Sequence, residues 1–269
     1  MNHALILMCA FSLILLSPMA RGALHTETVE YRQGDAVLEG YLAYDQDLKG
    51  PRPGVLVVHE WDGLGAFARE KTEQLAQAGY ITFAADIYGK GVRPQTREER
   101  AREAGKYRGD RDLLRARAAA ALEVLRKQER VDPQRLAAIG FCFGGTTVLE
   151  LARSGADVKG VVSFHGGLAT TKPAAPGGIQ ARILALTGGD DPSVPDAEVS
   201  AFMQEMRQAK ANWQLTSYGG AVHAFMNPKS GEFGSPGAAY HPLAAQRAWR
   251  EMLAFFEEIF QPQKQGANK

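Results

Sequence analysis

Gly140-Phe141-Cys142-Phe143-Gly144-Gly145 follows directly on the apolar run Leu136–Gly140 and precedes a helical pattern over Thr146–Arg153. Strand, glycine-flanked turn and helix in that order fit Gly-x-nucleophile-x-Gly, with cysteine in the nucleophile's place. The spacing has a mechanical reason. A nucleophile at the tip of a tight strand-to-helix turn takes a strained backbone conformation. The neighbouring strand and helix then approach too closely for side chains at the flanking positions, hence glycine. The helix that follows points its N-terminus at the thiol, and its dipole favours the thiolate. The alternative is a glycine-rich turn with a packed cysteine.

Outward from this turn, short apolar runs alternate with helical periodicity. Strands are expected at Gly54–Val58, Ile81–Ala85, Leu136–Phe141, Val158–Phe164, Arg182–Thr187 and Trp213–Tyr218. Helices are expected at Ala66–Ala78, Asp110–Arg126, Thr146–Arg153, Val199–Ala209 and His241–Phe260. Upstream, Glu27–Tyr31 and Ala36–Tyr44 flank the turn residues Gln33-Gly34-Asp35 and read as an N-terminal β-hairpin. Continuous apolar strands separated by helices mean an α/β fold, with a mostly parallel central sheet and helices on both faces. Ligands in such a sheet sit at the C-terminal ends of the strands.

Those ends carry the partners the turn calls for, in the chain order nucleophile, acid, histidine. Gly188-Gly189-Asp190-Asp191-Pro192-Ser193-Val194-Pro195 follows one strand, and the spacing to Val194-Pro195 favours Asp191 over Asp190 as the acid. Gly219-Gly220-Ala221-Val222-His223-Ala224-Phe225 follows the last strand and supplies His223. The order and the turn together predict an α/β-hydrolase fold. Asp191 would orient His223, and His223 would take the Cys142 proton and return it to the leaving group. Two backbone N–H groups, of Phe143 and Trp61, would form the oxyanion hole. The loop His59-Glu60-Trp61-Asp62-Gly63-Leu64-Gly65 adds Glu60. A carboxylate buried there needs a partner, either the Cys142 thiol or an arginine such as Arg69.

The 269 residues carry 31 basic and 30 acidic side chains, a net charge of +1. That balance gives no reason to expect nucleic acid or an anionic membrane as partner. The apolar run Ala4–Leu16, followed by Pro18 and by Ala20-Arg21-Gly22, reads as an export signal, with cleavage after Gly22 or after Ala20. A signal peptide over 1–22 leaves one domain over 23–269, in the periplasm or secreted. Removal of the signal takes Cys9 with it. Cys142 then remains as the single thiol and cannot form an internal disulfide.

At these residues the chain resembles the dienelactone hydrolase family. The resemblance runs from about Glu27 to Phe260 and rests on His59–Gly65, Asp86-Ile87-Tyr88-Gly89-Lys90, Gly140–Gly145, Gly188–Pro195 and His223-Ala224-Phe225. It implies a monomer in which a Cys-His-Asp triad hydrolyses a small ester or lactone without metal or other cofactor. It also implies that Glu60 holds the resting thiol neutral until substrate binds, that Tyr88 and Phe225 belong to the substrate pocket, and that Lys90 stands at a carboxylate-binding position. The family has arginines at the positions of Lys90 and Asn227, and their bidentate fork is not reproduced by lysine or asparagine. A thioesterase with the same triad and a non-catalytic binding protein on the same fold are the competing expectations.

Overall fold

The computed structural model describes residues 23–233 and 237–261. The expected export segment, residues 1–22, lies outside the described residues. The hairpin forms from β1 (Leu24–Gln33) and β2 (Ala36–Asp45), paired antiparallel from Leu24↔Asp45 to Gln33↔Ala36. Gly34 in its turn takes a φ of +57°, open to glycine at little cost. The remaining strands are β3 (Arg52–Val58), β4 (Ile81–Ala85), β5 (Val131–Phe141), β6 (Gly160–Phe164), β7 (Arg182–Gly188) and β8 (Trp213–Tyr218). They make one sheet with the order β1-β2-β4-β3-β5-β6-β7-β8. β2 meets β4 antiparallel, and every pairing from β4 to β8 is parallel.

Helices α1 (Ala66–Gln77), α2 (Arg97–Gly109), α3 (Arg111–Arg126), α4 (Phe143–Arg153), α5 (Asp196–Gln208) and α6 (Pro242–Phe260) cover both faces. The two-residue period of β3 separates the layers. Leu56 and Val58 join one core with Leu122 of α3, Leu149 of α4 and Phe202 of α5. Val55 and Val57 join the other with Leu75 of α1 and Phe256 of α6. Strands covered on both sides leave their C-terminal ends as the open edge, and the loops there build the site.

Among the elements that depart from the sequence reading, three are instructive. Helix α2 was not anticipated, because it buries only Ala104 and Tyr107 and so has almost no apolar stripe. Its start is nonetheless written in Thr96-x-x-Glu99. The Thr96 hydroxyl accepts from the Glu99 N–H and the Glu99 carboxylate from the Thr96 N–H, a capping box. Helix α4 starts at Phe143 rather than Thr146, immediately after the nucleophile position. Strand β5 begins at Val131: Val131 and Asp132 pair with Arg52 and Pro53, and pairing resumes at Leu136 beside Gly54. The three residues between, which include Pro133 with no N–H to give, sit at the break.

Candidate active site

The turn between β5 and α4 is as tight as its glycines suggest. A Cβ on Gly140 would lie 2.0 Å from the Gly144 carbonyl oxygen, and one on Gly145 would lie 2.7 Å from Ser163 Oγ. Cys142 at the apex has φ 52° and ψ −111°, a strained conformation for a side-chain-bearing residue. Its own N–H holds the turn in place, donating to Phe164 O at 3.0 Å and His165 Nδ1 at 3.1 Å. Phe143 is the first residue of α4, so its N–H has no carbonyl within the helix to meet.

The structure brings Asp191 and His223 to this thiol. His223 Nε2 lies 3.0 Å from Cys142 Sγ, and His223 Nδ1 lies 2.8 Å from Asp191 Oδ2. Asp191 is buried after β7, and its other oxygen accepts from the Ser193 N–H at 2.8 Å. Asp190 is exposed, which separates the two candidates. His223 is set by backbone bonds from its N–H to Gly237 O and from the Ala239 N–H to its carbonyl. Gly188 lets that loop pass, since a Cβ there would meet Ala221 O at 2.5 Å. Burial alone would lower the His223 pKa. The negative charge of the sulfur as a thiolate and the Asp191 carboxylate reverse that and raise it. His223 therefore favours its protonated, imidazolium form. Cys142 is only 7% exposed, so the sulfur is reached through the cleft and not from open solvent.

Glu60 and Trp61 line the same cleft of about 360 Å³. Glu60 is buried, and its hydrogen bond runs to Asn227 rather than to the Cys142 thiol or Arg69. Asn227 Nδ2 donates to Glu60 Oε2, while the Arg69 guanidinium sits 4.6 Å over the Tyr41 ring. Burial raises the Glu60 pKa to about 7, helped by nearby Asp62 and only partly opposed by the Asn227 bond. The neutral His59 ring holds the loop: Nδ1–H donates to Glu60 O, and Nε2 accepts from the Ile87 N–H. Its pKa is lowered to about 4 by burial.

The sign of the Glu60 effect on stability follows. Below pH 4.5 both folded and unfolded chains hold the proton. Between 4.5 and about 7 only the unfolded chain gives it up, so stability falls as pH rises; above 7 the loss is constant. Glu60→Gln removes this component. Urea unfolding at pH 5 and pH 8 should show the variant gaining on the wild type by about 1–3 kcal/mol over that interval. A stability difference flat in pH would contradict the raised pKa.

The expected pocket residues divide. Tyr88 is buried behind the wall, and its hydroxyl donates to Trp61 O at 3.1 Å, so it supports the loop rather than lining the cleft. Phe225 is fully buried against His165 and Tyr218 and also lies outside the lining. Lys90 is corrected most: it stands at the surface, where Nζ pairs with Glu30 at 2.6 Å, because the loop after β4 turns it away toward β1. Residues the sequence reading passed over line the cleft instead, among them Thr146, Arg97, Arg108 and Arg111. Arg97 and Arg108 arrive on α2, to which only the capping signature at Thr96 pointed, and Arg111 arrives at the start of the expected helix α3. His165 was also missed, although it follows directly on β6, where functional residues are to be sought. Among the described residues no group of three His, Cys, Asp or Glu is placed to hold a metal ion.

The model of the dienelactone hydrolase family matches residues 38–260. A probable 2-oxo-3-(5-oxofuran-2-ylidene)propanoate lactonase from Bradyrhizobium sp. is 31% identical over 216 residues, 77% of this chain and 84% of that protein. A putative carboxymethylenebutenolidase from Yersinia pestis is 29% identical over 243 residues, 86% of this chain and 87% of that protein. Among solved structures, a dienelactone hydrolase-like promiscuous phosphotriesterase from metagenomic libraries is 41% identical, with a TM-score of 0.84. It covers 89% of this chain and 100% of that one. With a cysteine, a histidine and an aspartate converging at the open edge of such a sheet, the chain belongs to the dienelactone hydrolase family and is a hydrolase acting on ester or lactone bonds.

Proposed function

We propose that Cys142, His223 and Asp191 hydrolyse a small ester or lactone through a thioester intermediate. The observation that carries this reading is the linear relay of Sγ, imidazole and carboxylate, with contacts of 3.0 and 2.8 Å, at the wall of a cleft. The thiolate attacks the acyl carbon, and the oxyanion accepts from the Phe143 and Trp61 N–H groups. His223 hands its proton to the departing alkoxide, then takes one from the water that cleaves the thioester and releases the acid. Asp191 keeps the Nδ1 proton in place throughout.

Glu60 tunes the sulfur. Protonated below about pH 7, it leaves the thiolate without a like charge nearby. Ionised at higher pH, it disfavours the thiolate, and a substrate seated against it changes that balance. The chain works as a monomer in the periplasm or outside the cell after loss of residues 1–22. A second reading, phosphotriester turnover by the same thiolate, is favoured by the 41% identity to a protein named for that activity.

Mixing the protein with 4-nitrophenyl acetate and quenching in acid should yield one acetylated peptide, the one bearing Cys142, together with steady release of nitrophenol. Label on a serine, or no label alongside steady turnover, would overturn the cysteine mechanism. Paraoxon in the same assay tests the second reading.

A further inference from the structure

The cleft is unbalanced in charge. Arg97 and Arg108 of α2 and Arg111 at the start of α3 all line it together with Cys142. The carboxylates that could have answered them are committed elsewhere. Glu150 is fully buried between Arg115, at 2.8 Å, and Arg153, at 3.1 Å. Glu205 takes the other edge of Arg153 at 2.7 Å. Glu198, which also lines the cleft, spends Oε1 on the Leu168 and Ala169 N–H groups. Glu60 is the remaining carboxyl of the lining, and its burial holds the proton up to about pH 7.

Arg111 is the most poorly answered of the three. Among the described residues its Nε and Nη1 are buried with no hydrogen-bond partner, and Nη2 reaches Ala169 O at 3.4 Å. Burial lowers its pKa, and the like charges of Arg153, Arg108 and Arg115 add to that against the pull of Glu150. Five N–H donors fixed in a plane, held among cations and short of acceptors, are costly. An anion entering the cleft would relieve both deficits, after a short swing of the guanidinium toward it.

We propose that the corner between α2 and α3 is an anion subsite: Arg111 and Arg108, flanked by Arg97, receive an acidic group of the substrate, so that the enzyme selects esters or lactones bearing a carboxylate or a comparable anion. This rests on the hydrolase reading for its substrate. The site is separate from the positions of Lys90 and Asn227, which are taken up by Glu30 and Glu60. Arg97 and Arg108 sit on a helix almost without an apolar stripe, held to the domain by Ala104 and Tyr107.

The test compares 4-nitrophenyl hydrogen glutarate with neutral 4-nitrophenyl butyrate, using wild type, Arg111→Lys, Arg111→Gln and the double variant Arg108→Gln/Arg111→Gln. The wild type should prefer the acidic ester, and added salt at about 0.5 M should erode that preference. The ratio of kcat/KM values, acidic over neutral, should fall by about 10- to 100-fold in the double variant, mostly through KM, with Arg111→Lys in between. 4-Acetoxybenzoate, with its charge on the leaving group, shows on which side of the scissile bond the anion sits. A wild type without preference, or a ratio unmoved within about twofold in the double variant, would overturn the subsite. If neither ester is turned over above Cys142→Ala, the hydrolase reading fails instead. Calorimetric titration with glutarate then decides the subsite: binding lost in the double variant supports it, and no binding to the wild type refutes it.

Discussion

Cys142→Ala should lower ester turnover by at least about 10⁴-fold while leaving the fold in place. The loss is large because the other groups act through the sulfur. His223 Nε2 faces Sγ at 3.0 Å and has no proton to take once it is gone, and Asp191 then orients a base without work. Groups that act as one unit are lost together, and what remains over water is binding and the oxyanion donors. The fold should survive. The sulfur sits at a cleft wall, and the apex is held by the Cys142 N–H, which alanine keeps. The melting temperature should stay within a few degrees of the wild type. Cys142→Ser should recover little, since a hydroxyl with a pKa far above that of a thiol gains less from an imidazolium and a helix N-terminus tuned to a thiolate. Rates from Cys142→Ala within tenfold of the wild type would mean that the hydrolysis belongs to another residue.

That this cysteine could be picked out without coordinates follows from how the turn is written. Gly140, Gly144 and Gly145 are each required by backbone or side-chain atoms closer than 3 Å to a would-be Cβ, so the constraint leaves a mark residue by residue. The parallel strands likewise spell out their burial as unbroken apolar runs, and β4 and β6 are buried at every position. Legibility failed where structure rests on polar contacts. α2 was invisible to periodicity, and with it went two arginines of the cleft, Arg97 and Arg108. Glu60 could be placed in a buried loop but not paired, because Asn227 is 167 residues away and an amide gives no spacing signal. Lys90 was misplaced for a related reason. A resemblance aligns positions along the chain, but the direction of a side chain depends on the loop beneath it, here the turn held by Asp86 Oδ1 through the Tyr88 and Gly89 N–H groups.

Gly144→Ala should be among the most damaging single-methyl changes in the protein. Its Cβ would stand 2.2 Å from Val58 O and 2.7 Å from His59 O, both of them backbone atoms that no side-chain rotation can clear. Either α4 retreats from β3 or the loop after β3 moves outward, and that loop carries Glu60 and Trp61. The overpacking should cost about 3 kcal/mol or more of stability. The displacement of one proposed oxyanion donor relative to the other, even by about 1 Å, should cost about 10²-fold or more in kcat/KM. Gly105→Ala on α2 is the matched control. Nothing lies within 4 Å of its Cβ, so the same methyl should add up to about 1 kcal/mol through helix propensity and the narrower unfolded ensemble. Denaturant unfolding and ester kinetics on both variants set a clash against a propensity gain with the chemistry of the substitution held constant. If Gly144→Ala kept wild-type stability and rate, α4 and the Glu60 loop would have to be far more yielding than two backbone carbonyls closer than 3 Å allow.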